Sequence, residues 1–371
     1  MEVNQIYDVV NSVVAQGLGT SDLTVVDNQS LIALGNTVLS SSTNTEVFMN
    51  TLVERIGRTI ISYRQYKSMF DDLLMSDFEW GNILQKIKVK MPTVESDESF
   101  GLVDGGSVDM FKVSKPKVTQ KLFTSETPFQ LHITIQRVHL KEAFTSAEKM
   151  GSFISAIFGE VQNKIELSLE NLGRNCLNNM IAEVYGTTRA LNLLALYKKS
   201  TNKELTVKEA KNDVDFLRWT IGFIKLVSRR MTAMSTLYND GTETRHTPKE
   251  LQKLYVSADW ETQFETVVQY AAFNEEYVKL NGFKELPYLQ SIQKPDSINI
   301  QRASDGETKE IDNIVCCLFD KEALGIYKKD LWTSTTPFNS AGGYANTYWH
   351  LKNMYFNDLS ENFVLFYLAE A

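Results

Sequence analysis

The chain has 371 residues, 43% hydrophobic and 23% charged, with a formal net charge of −8. That length suits two domains or one elaborated domain with a sizeable core, and the acidic balance argues against a basic surface for wrapping nucleic acid. Cys176, Cys316 and Cys317 read as buried small hydrophobes in a reducing compartment, and no apolar run approaches the roughly 18 residues of a membrane span.

The start, Met1-Glu2-Val3-Asn4, has no basic region or signal-peptide core, so cytoplasmic synthesis is expected. Glu2–Gln16 predicts a short helix with Ile6, Val9, Val10 and Val13 on one side, ended by Gly17 and Gly19. Asn28–Thr45, rich in Ser, Thr and Asn, reads as an extended arm. Thr43 with Glu46 predicts a capping box for a helix carrying Phe48, Leu52 and Ile56; Gly57 stops it, and Arg58–Tyr63 reads as a strand.

From Gln85 to Met91 the chain alternates strictly, Lys86, Lys88 and Lys90 against Ile87, Val89 and Met91, which predicts a strand with one wet, basic face. An acidic, glycine-containing tip over Glu95–Asp109 and a second extended run, Val108–Phe123, complete a two-stranded arm. Such a ribbon has little core and needs another surface, its own chain or a neighbour. Phe129–Ile135 alternates as a half-buried strand. It leads into the longest periodic stretch of the chain, Thr145–Tyr185. There Met150, Ile154, Ile157, Val161, Ile165, Leu169, Leu172, Cys176, Met180 and Val184 recur every three or four residues. Thr145 with Glu148 fits a capping box at its start and Gly186 closes its end, while Gly151, Gly159 and Gly173 are candidate bends or breaks.

Ala190–Tyr197 is a short apolar segment, and Asp213 is placed to cap a helix carrying Val214, Leu217, Ile221, Ile224 and Met231. Asn239-Asp240-Gly241 and Ser304-Asp305-Gly306 are turns, and Leu254–Ser257 is a strand. Trp260–Leu280 reads as one or two helices, Pro287–Arg302 as extended chain. Ile311–Phe319, Tyr344–Phe356 and Phe363–Ala369 read as strands, the last apolar on both faces and so inside a sheet.

Reactive chemistry is hard to find. There is no phosphate loop, no G-x-G-x-x-G, no H-E-x-x-H, no C-x-x-C and no G-x-S-x-G, and His132, His139, His246 and His350 lack ligand spacing. Acidic pairs such as Asp71-Asp72 are more simply solvated faces than acid–base dyads. Lys86, Lys88 and Lys90 have the spacing to touch phosphate, but a solvated face or complementarity to an acidic neighbour explains them better. No catalytic, cofactor or metal residue is assigned.

The order of parts carries more information than any motif. Phe48-Met49-Asn50-Thr51-Leu52-Val53-Glu54-Arg55-Ile56-Gly57, Phe78-Glu79-Trp80-Gly81 before the lysine strand, and Lys115-Pro116-Lys117-Val118 through Leu122-Phe123 lead towards the long helix. They are followed by His139-Leu140-Lys141-Glu142-Ala143-Phe144 and, at the end, Tyr348-Trp349-His350 to Phe363-Val364-Leu365-Phe366. This layout resembles the major capsid proteins of tailed bacteriophages, the Hong Kong 97-type fold. More narrowly, it resembles those of small short-tailed phages of Gram-positive bacteria. The likeness covers most of the chain and is thinnest from Asp213 to Lys309.

The resemblance implies an α+β fold. Residues 1–80 would be an N-terminal arm and first peripheral elements, and 81–127 an extension loop, the β-ribbon. Residues 128–189 would form the peripheral domain around a spine helix, and 190–343 the α/β axial domain. Residues 344–360 would be a peripheral strand, and 361–371 a closing strand returning to the axial domain. Neither a charged removable segment before the arm nor an immunoglobulin-like domain after the last strand is expected. The implied function is structural, with no enzymatic activity: self-assembly through pentamers and hexamers into an icosahedral or prolate head enclosing double-stranded DNA. Implied partners are a separate scaffolding protein, a portal and DNA held non-specifically on the inner face, with no membrane. Assembly would occur in the host cytoplasm, and the chain would end in the virion. Intersubunit contacts are expected at Lys86, Lys88, Lys90, Glu95, Asp97, Glu98, Asp104, Asp109, Lys112, Lys115 and Lys117, and the spine core at Ile154, Ile157, Val161, Ile165, Leu169 and Leu172. Helix-length statistics alone divide 145–185 into two core helices. The implied layout favours one bent spine that flexes at its glycines during shell expansion. The alternative function is an encapsulin-type nanocompartment shell around a protein cargo.

Overall fold

The computed structural model describes residues 3–19, 24–56, 66–75, 84–92, 94–111, 113–124, 126–269 and 283–370. The strand expected over Arg58–Tyr63, the Phe78–Gly81 entry, Lys112 and the end of the Trp260–Leu280 stretch lie outside the described residues.

The N-terminal region is helical and packs on its own chain. Helix α1 (Val3–Gly17) buries Ile6, Val10, Val13 and Val14. Helix α2 (Asn28–Leu39) stands where an extended arm was expected. Asp27 caps it by accepting from Ser30 N–H at 2.8 Å, and Leu31, Leu34 and Val38 form a buried stripe. The Ser, Thr and Asn residues that suggested extension are the caps and outer face of an amphipathic helix. Helix α3 (Ser42–Ile56) begins before the expected box: Ser41 Oγ accepts from Thr43 N–H at 3.2 Å, and Glu46 faces Phe338 N–H instead.

A short ribbon follows, β1 (Leu84–Val89) antiparallel to β2 (Val118–Phe123), so the second run is a strand only over its last third. Strand β3 (Glu126–Gln136) and helix α4 (Arg137–Ala143) lead into α5 (Ala147–Val184), one uninterrupted helix of 38 residues. At 1.5 Å per residue it is about 57 Å long. Its cap is Ser146, one residue after the expected Thr145, accepting from Lys149 N–H at 3.3 Å; Gly186, at φ +82°, follows its end. None of the three glycines breaks the helix, and Gly151 and Gly173 are points of close approach. A Cβ on Gly151 would sit 2.6 Å from Ile6, and one on Gly173 2.6 Å from Phe70.

The rest of the chain comprises β4 (Ala190–Asn192), α6 (Leu193–Thr201), α7 (Val207–Ala210), α8 (Val214–Met231), β5 (Gln252–Ser257), α9 (Ala258–Gln263), β6 (Phe283–Leu286), β7 (Ile298–Gln301), β8 (Thr308–Ile311), β9 (Ile314–Asp320), β10 (Leu324–Thr335), β11 (Tyr344–Asn357) and β12 (Phe363–Tyr367). Asp213 caps α8, accepting from Phe216 N–H at 2.7 Å. Asn313, at φ 55°, divides the expected Ile311–Phe319 strand between β8 and β9.

Two main sheets flank the spine. One is antiparallel, in the order β10-β11-β3; the other is mixed, in the order β4-β12-β9-β5-β6. Met150, Ile154 and Val161 of the spine share a core with α1–α3 and the first sheet's Ile135, Trp349 and Leu351. Leu169, Leu172, Cys176 and Met180 share another with Tyr255, Cys317, Phe319, Phe363 and Leu365 of the second sheet. The opposite parity, Leu254, Val256, Cys316, Leu318, Val364 and Phe366, packs under α6, α8 and α9. Buried on both faces, β9 and β12 are apolar at every position but the last. Strand β10 falls inside the stretch assigned to the axial unit, yet it pairs with β11 from Leu324↔Asn357 to Thr335↔Thr347.

Candidate intersubunit surface

The ribbon is inside out relative to its expected orientation. Leu84 and Phe123, paired at its root, pack against Met75, Tyr327, Met354 and Phe356, with the Phe123 and Phe356 rings 5.1 Å apart. Side chains alternate with period two, so docking those two turns Lys86, Lys88 and Lys121 inward as well. Ile87, Val89, Val118 and Leu122 then face out, each more than half exposed.

The inward lysines meet an acidic turn between β11 and β12. Asp358, whose side chain is 0% exposed, accepts from Lys88 Nζ at 2.8 Å and Lys121 Nζ at 2.7 Å, with Lys86 Nζ at 3.2 Å. Glu361 lies 2.8 Å from Lys86 and 2.7 Å from Lys88, and Ser360 Oγ accepts from Lys88 at 2.6 Å. Three ammonium groups thus face Asp358, Glu361 and the more exposed Glu322, which is 3.1 Å from Lys86. Charge balances, and each buried ion has several partners, the condition for burying charge at all. Lys86 and Lys88 were expected to bind a neighbour; they are tied within the chain.

Burial works against the ionised form of Asp358, but hydrogen bonds from Lys121, Lys88 and Ser360, with the Lys86 charge beside them, hold its carboxyl well below the usual carboxylate range. Burial likewise opposes ionisation of Glu361, and Lys86 and Lys88 reverse it. For Lys86, burial lowers the value and Glu361, Asp358 and Glu322 more than restore it. Depressed carboxylates contribute stability that is complete above their unfolded range, near pH 4, and lost as pH falls through the folded values. A raised lysine contributes stability that is lost only as pH rises through its folded value, above about 10. The gap in thermal midpoint between the parent chain and Asp358→Asn should therefore stay constant from about pH 5 to pH 9 and narrow on either side. A gap that closes within that window would sink the assignment.

Beyond the ladder, the described residues between 90 and 117 form a long loop whose apolar side chains point into solvent. Phe100 is 92% exposed, Met110 81% and Phe111 80%, with Val94, Val103 and Val113 equally open. The acidic residues shape this loop: Asp97 Oδ1 accepts from Ser99 N–H and Asp109 Oδ1 from Phe111 N–H, each at 2.9 Å. Gly105, at φ +83°, makes the turn that lets Gly106 N–H reach Val103 O at 2.8 Å. Lys90, Glu95, Asp97, Glu98, Asp104, Asp109, Lys115 and Lys117 are exposed around it. Spine residues Ile154, Val161, Leu169 and Leu172 are buried in the two cores, with Ile157 and Ile165 packed against them. Sequence reading centred on the charges and passed over Phe100, Met110 and Phe111. It also missed Asp358 and Glu361, whose signal was the shared parity of Leu84 with Lys86 and Lys88.

Among the described residues no group of His, Cys, Asp and Glu is placed to hold a metal ion, and no helix is long and apolar enough to cross a membrane. A family model of Phi29-like phage major capsid proteins matches residues 10–367. The chain belongs to that family. It is a structural capsid family, not an enzyme class. The major capsid protein of Bacillus phage GA-1 is 21% identical over 350 residues, a match covering 94% of this chain and 66% of that protein. The chain thus spans just under two thirds of that curated relative's length. Among solved structures, the capsid of Staphylococcus phage Andhra matches with TM-score 0.53 at 11% identity, over 84% of this chain and 87% of that one. The capsid of Cyanophage P-SCSP1u matches with TM-score 0.50 at 12% identity, over 85% and 92%. At such identities the likeness shows the fold, a mixed helix-and-sheet fold shared with phage capsid subunits.

Proposed function

We propose that this Phi29-like capsid protein is the structural subunit of a phage head with the Hong Kong 97-type fold. In this reading the three-stranded sheet and the first half of α5 form the peripheral part, and the five-stranded sheet with α6, α8 and α9 forms the axial part. The 90–117 loop lies across the next subunit. The observation that carries the reading is Phe100, Met110 and Phe111 held in solvent on a ribbon docked to the body. Large apolar side chains concentrated in this way on one exposed segment are the kind of surface that a partner covers. Closed symmetry then multiplies each modest contact around rings of five and six. Nothing in the chain or its relatives favours a nanocompartment around a protein cargo. A scaffold, a portal and enclosed DNA belong to the proposal as partners. Purified chain, with scaffold supplied, is expected to form rings, sheets or closed shells in electron micrographs; a species that stays monomeric under every assembly condition overturns it.

A further inference from the structure

The turn that clamps the ribbon is also the place where the two sheets are joined. It runs from Asp358 to Asn362, between the end of β11 in one sheet and the start of β12 in the other. Its backbone is fixed from several directions. Asp358 N–H donates to Ala323 O at 2.7 Å, and Leu359 O accepts from Asp240 N–H at 3.1 Å and from the Arg189 guanidinium at 3.2 Å. Asn362 O accepts from Asp320 N–H at 2.9 Å, and Phe363 N–H donates to Tyr238 O at 2.8 Å.

The Asp358 carboxylate is saturated. Oδ1 accepts from Lys121 Nζ at 2.7 Å, Ser360 Oγ at 2.7 Å and Ser360 N–H at 3.1 Å; Oδ2 takes Lys88 at 2.8 Å, with Lys86 at 3.2 Å. One side chain therefore binds both ribbon strands to the junction of both sheets. We propose that Asp358 is a positioning residue that locks the ribbon at a fixed angle to the body before any neighbour binds. This inference rests on the reading of the loop as an intersubunit contact.

The physical reason is preorganisation. A two-stranded ribbon alone in water is marginal, and a loop that must be ordered at the moment of association weakens each contact by the cost of ordering it. The apolar root of Leu84 and Phe123 sets one hinge line, and the lysine pairs further out stop rotation about it. Thr119 Oγ1, donating to Glu243 Oε1 at 2.8 Å, adds a tie to the 240s turn. An asparagine at 358 would present an amide N–H₂ to lysines that can only donate, so the charge and half of the acceptor capacity are lost while the shape is kept.

The test reads the monomer first. Spin labels on Val118→Cys in the ribbon and Val138→Cys in α4 give a ribbon-to-body distance distribution by pulsed electron paramagnetic resonance. The native cysteines are all buried and stay unlabelled. The parent chain is expected to give one narrow distribution. Asp358→Asn and, as a second variant that leaves the turn untouched, Lys88→Met should each at least double its width, and shell yield should fall at least tenfold. Asp358→Glu, which restores the charge, should narrow the distribution again. Unchanged widths in both clamp variants overturn the lock. Broadened ribbons that still build shells at parental yield overturn its role in assembly. Loss of shells in loop variants alone, with the clamp variants normal in both readouts, leaves the loop reading standing and removes this one.

Discussion

Replacing Phe100, Met110 and Phe111 together by serine is expected to leave the monomer folded and abolish shell formation. The first half of this follows from burial. The three side chains touch no core, so their loss opens no cavity, and exposed substitutions away from caps and cores usually change stability by less than about 0.5 kcal/mol. The second half follows from what a neighbour would cover. Fully burying a large apolar side chain contributes roughly 1.5–3 kcal/mol, and a few central anchors carry most of an interface. Removing three takes on the order of 5 kcal/mol from every pairwise contact, more than a thousandfold in affinity. A shell closes only when many such contacts form together, so this loss falls below the assembly threshold rather than slowing it. Circular dichroism and sedimentation of the monomer, with micrographs of the assembly reaction, read both halves. Normal shells from the triple variant would remove the loop from the interface.

Large apolar periodicities were legible in the sequence, and local electrostatic pairing was not. The α5 stripe, the two-sided apolar strands β9 and β12 and the Asp213 cap are each fixed by spacing alone, and the structure has them within a few residues of their expected bounds. All of α2 lies where an extended arm is expected, because Ser, Thr and Asn serve caps and loops equally; only the spacing of Leu31, Leu34 and Val38 separates the two. The ribbon was read inside out for a deeper reason. Alternation shows that two faces differ but not which one is covered. Hydrophobicity says Ile87 and Val89 go in; the docking of Leu84 and Phe123, joined to Asp358 and Glu361 more than 230 residues away in the sequence, says Lys86 and Lys88 do. An exposed apolar face that sequence rules would bury is itself the sign of a partner.

Glu170→Ala is expected to cost about 3–5 kcal/mol, a large share of the 5–15 typical of a domain. Glu170 sits on α5 at 1% exposure, where residues 66–75 cross the helix. It accepts from the Tyr66 hydroxyl and the Arg174 guanidinium, with Met69 N–H at 3.5 Å. Arg174, 5% exposed, in turn donates to Tyr288 O and lies 3.6 Å from the centre of the Tyr288 ring. Burial pushes the Tyr66 hydroxyl up, and with Glu170 beside it the value reaches about 12, so it remains a donor throughout the neutral range. Alanine at 170 leaves a guanidinium buried without its counter-charge, which is the costly half of breaking a buried pair. In urea the midpoint should fall with an unchanged slope, and adding Arg174→Met should recover part of the loss, since the stranded charge is then gone. A loss under about 1 kcal/mol, or a double variant at the sum of both singles, would show that the pair is solvated and independent. The consequence reaches the proposed assembly surface, because the segment that Glu170 holds carries Met75. Its sulfur accepts from Tyr327 Oη at 2.9 Å and floors the pocket that seats Leu84 and Phe123. A spine that loses Glu170 loosens the ribbon from beneath, so the same variant is expected to assemble poorly at temperatures where its monomer is still folded.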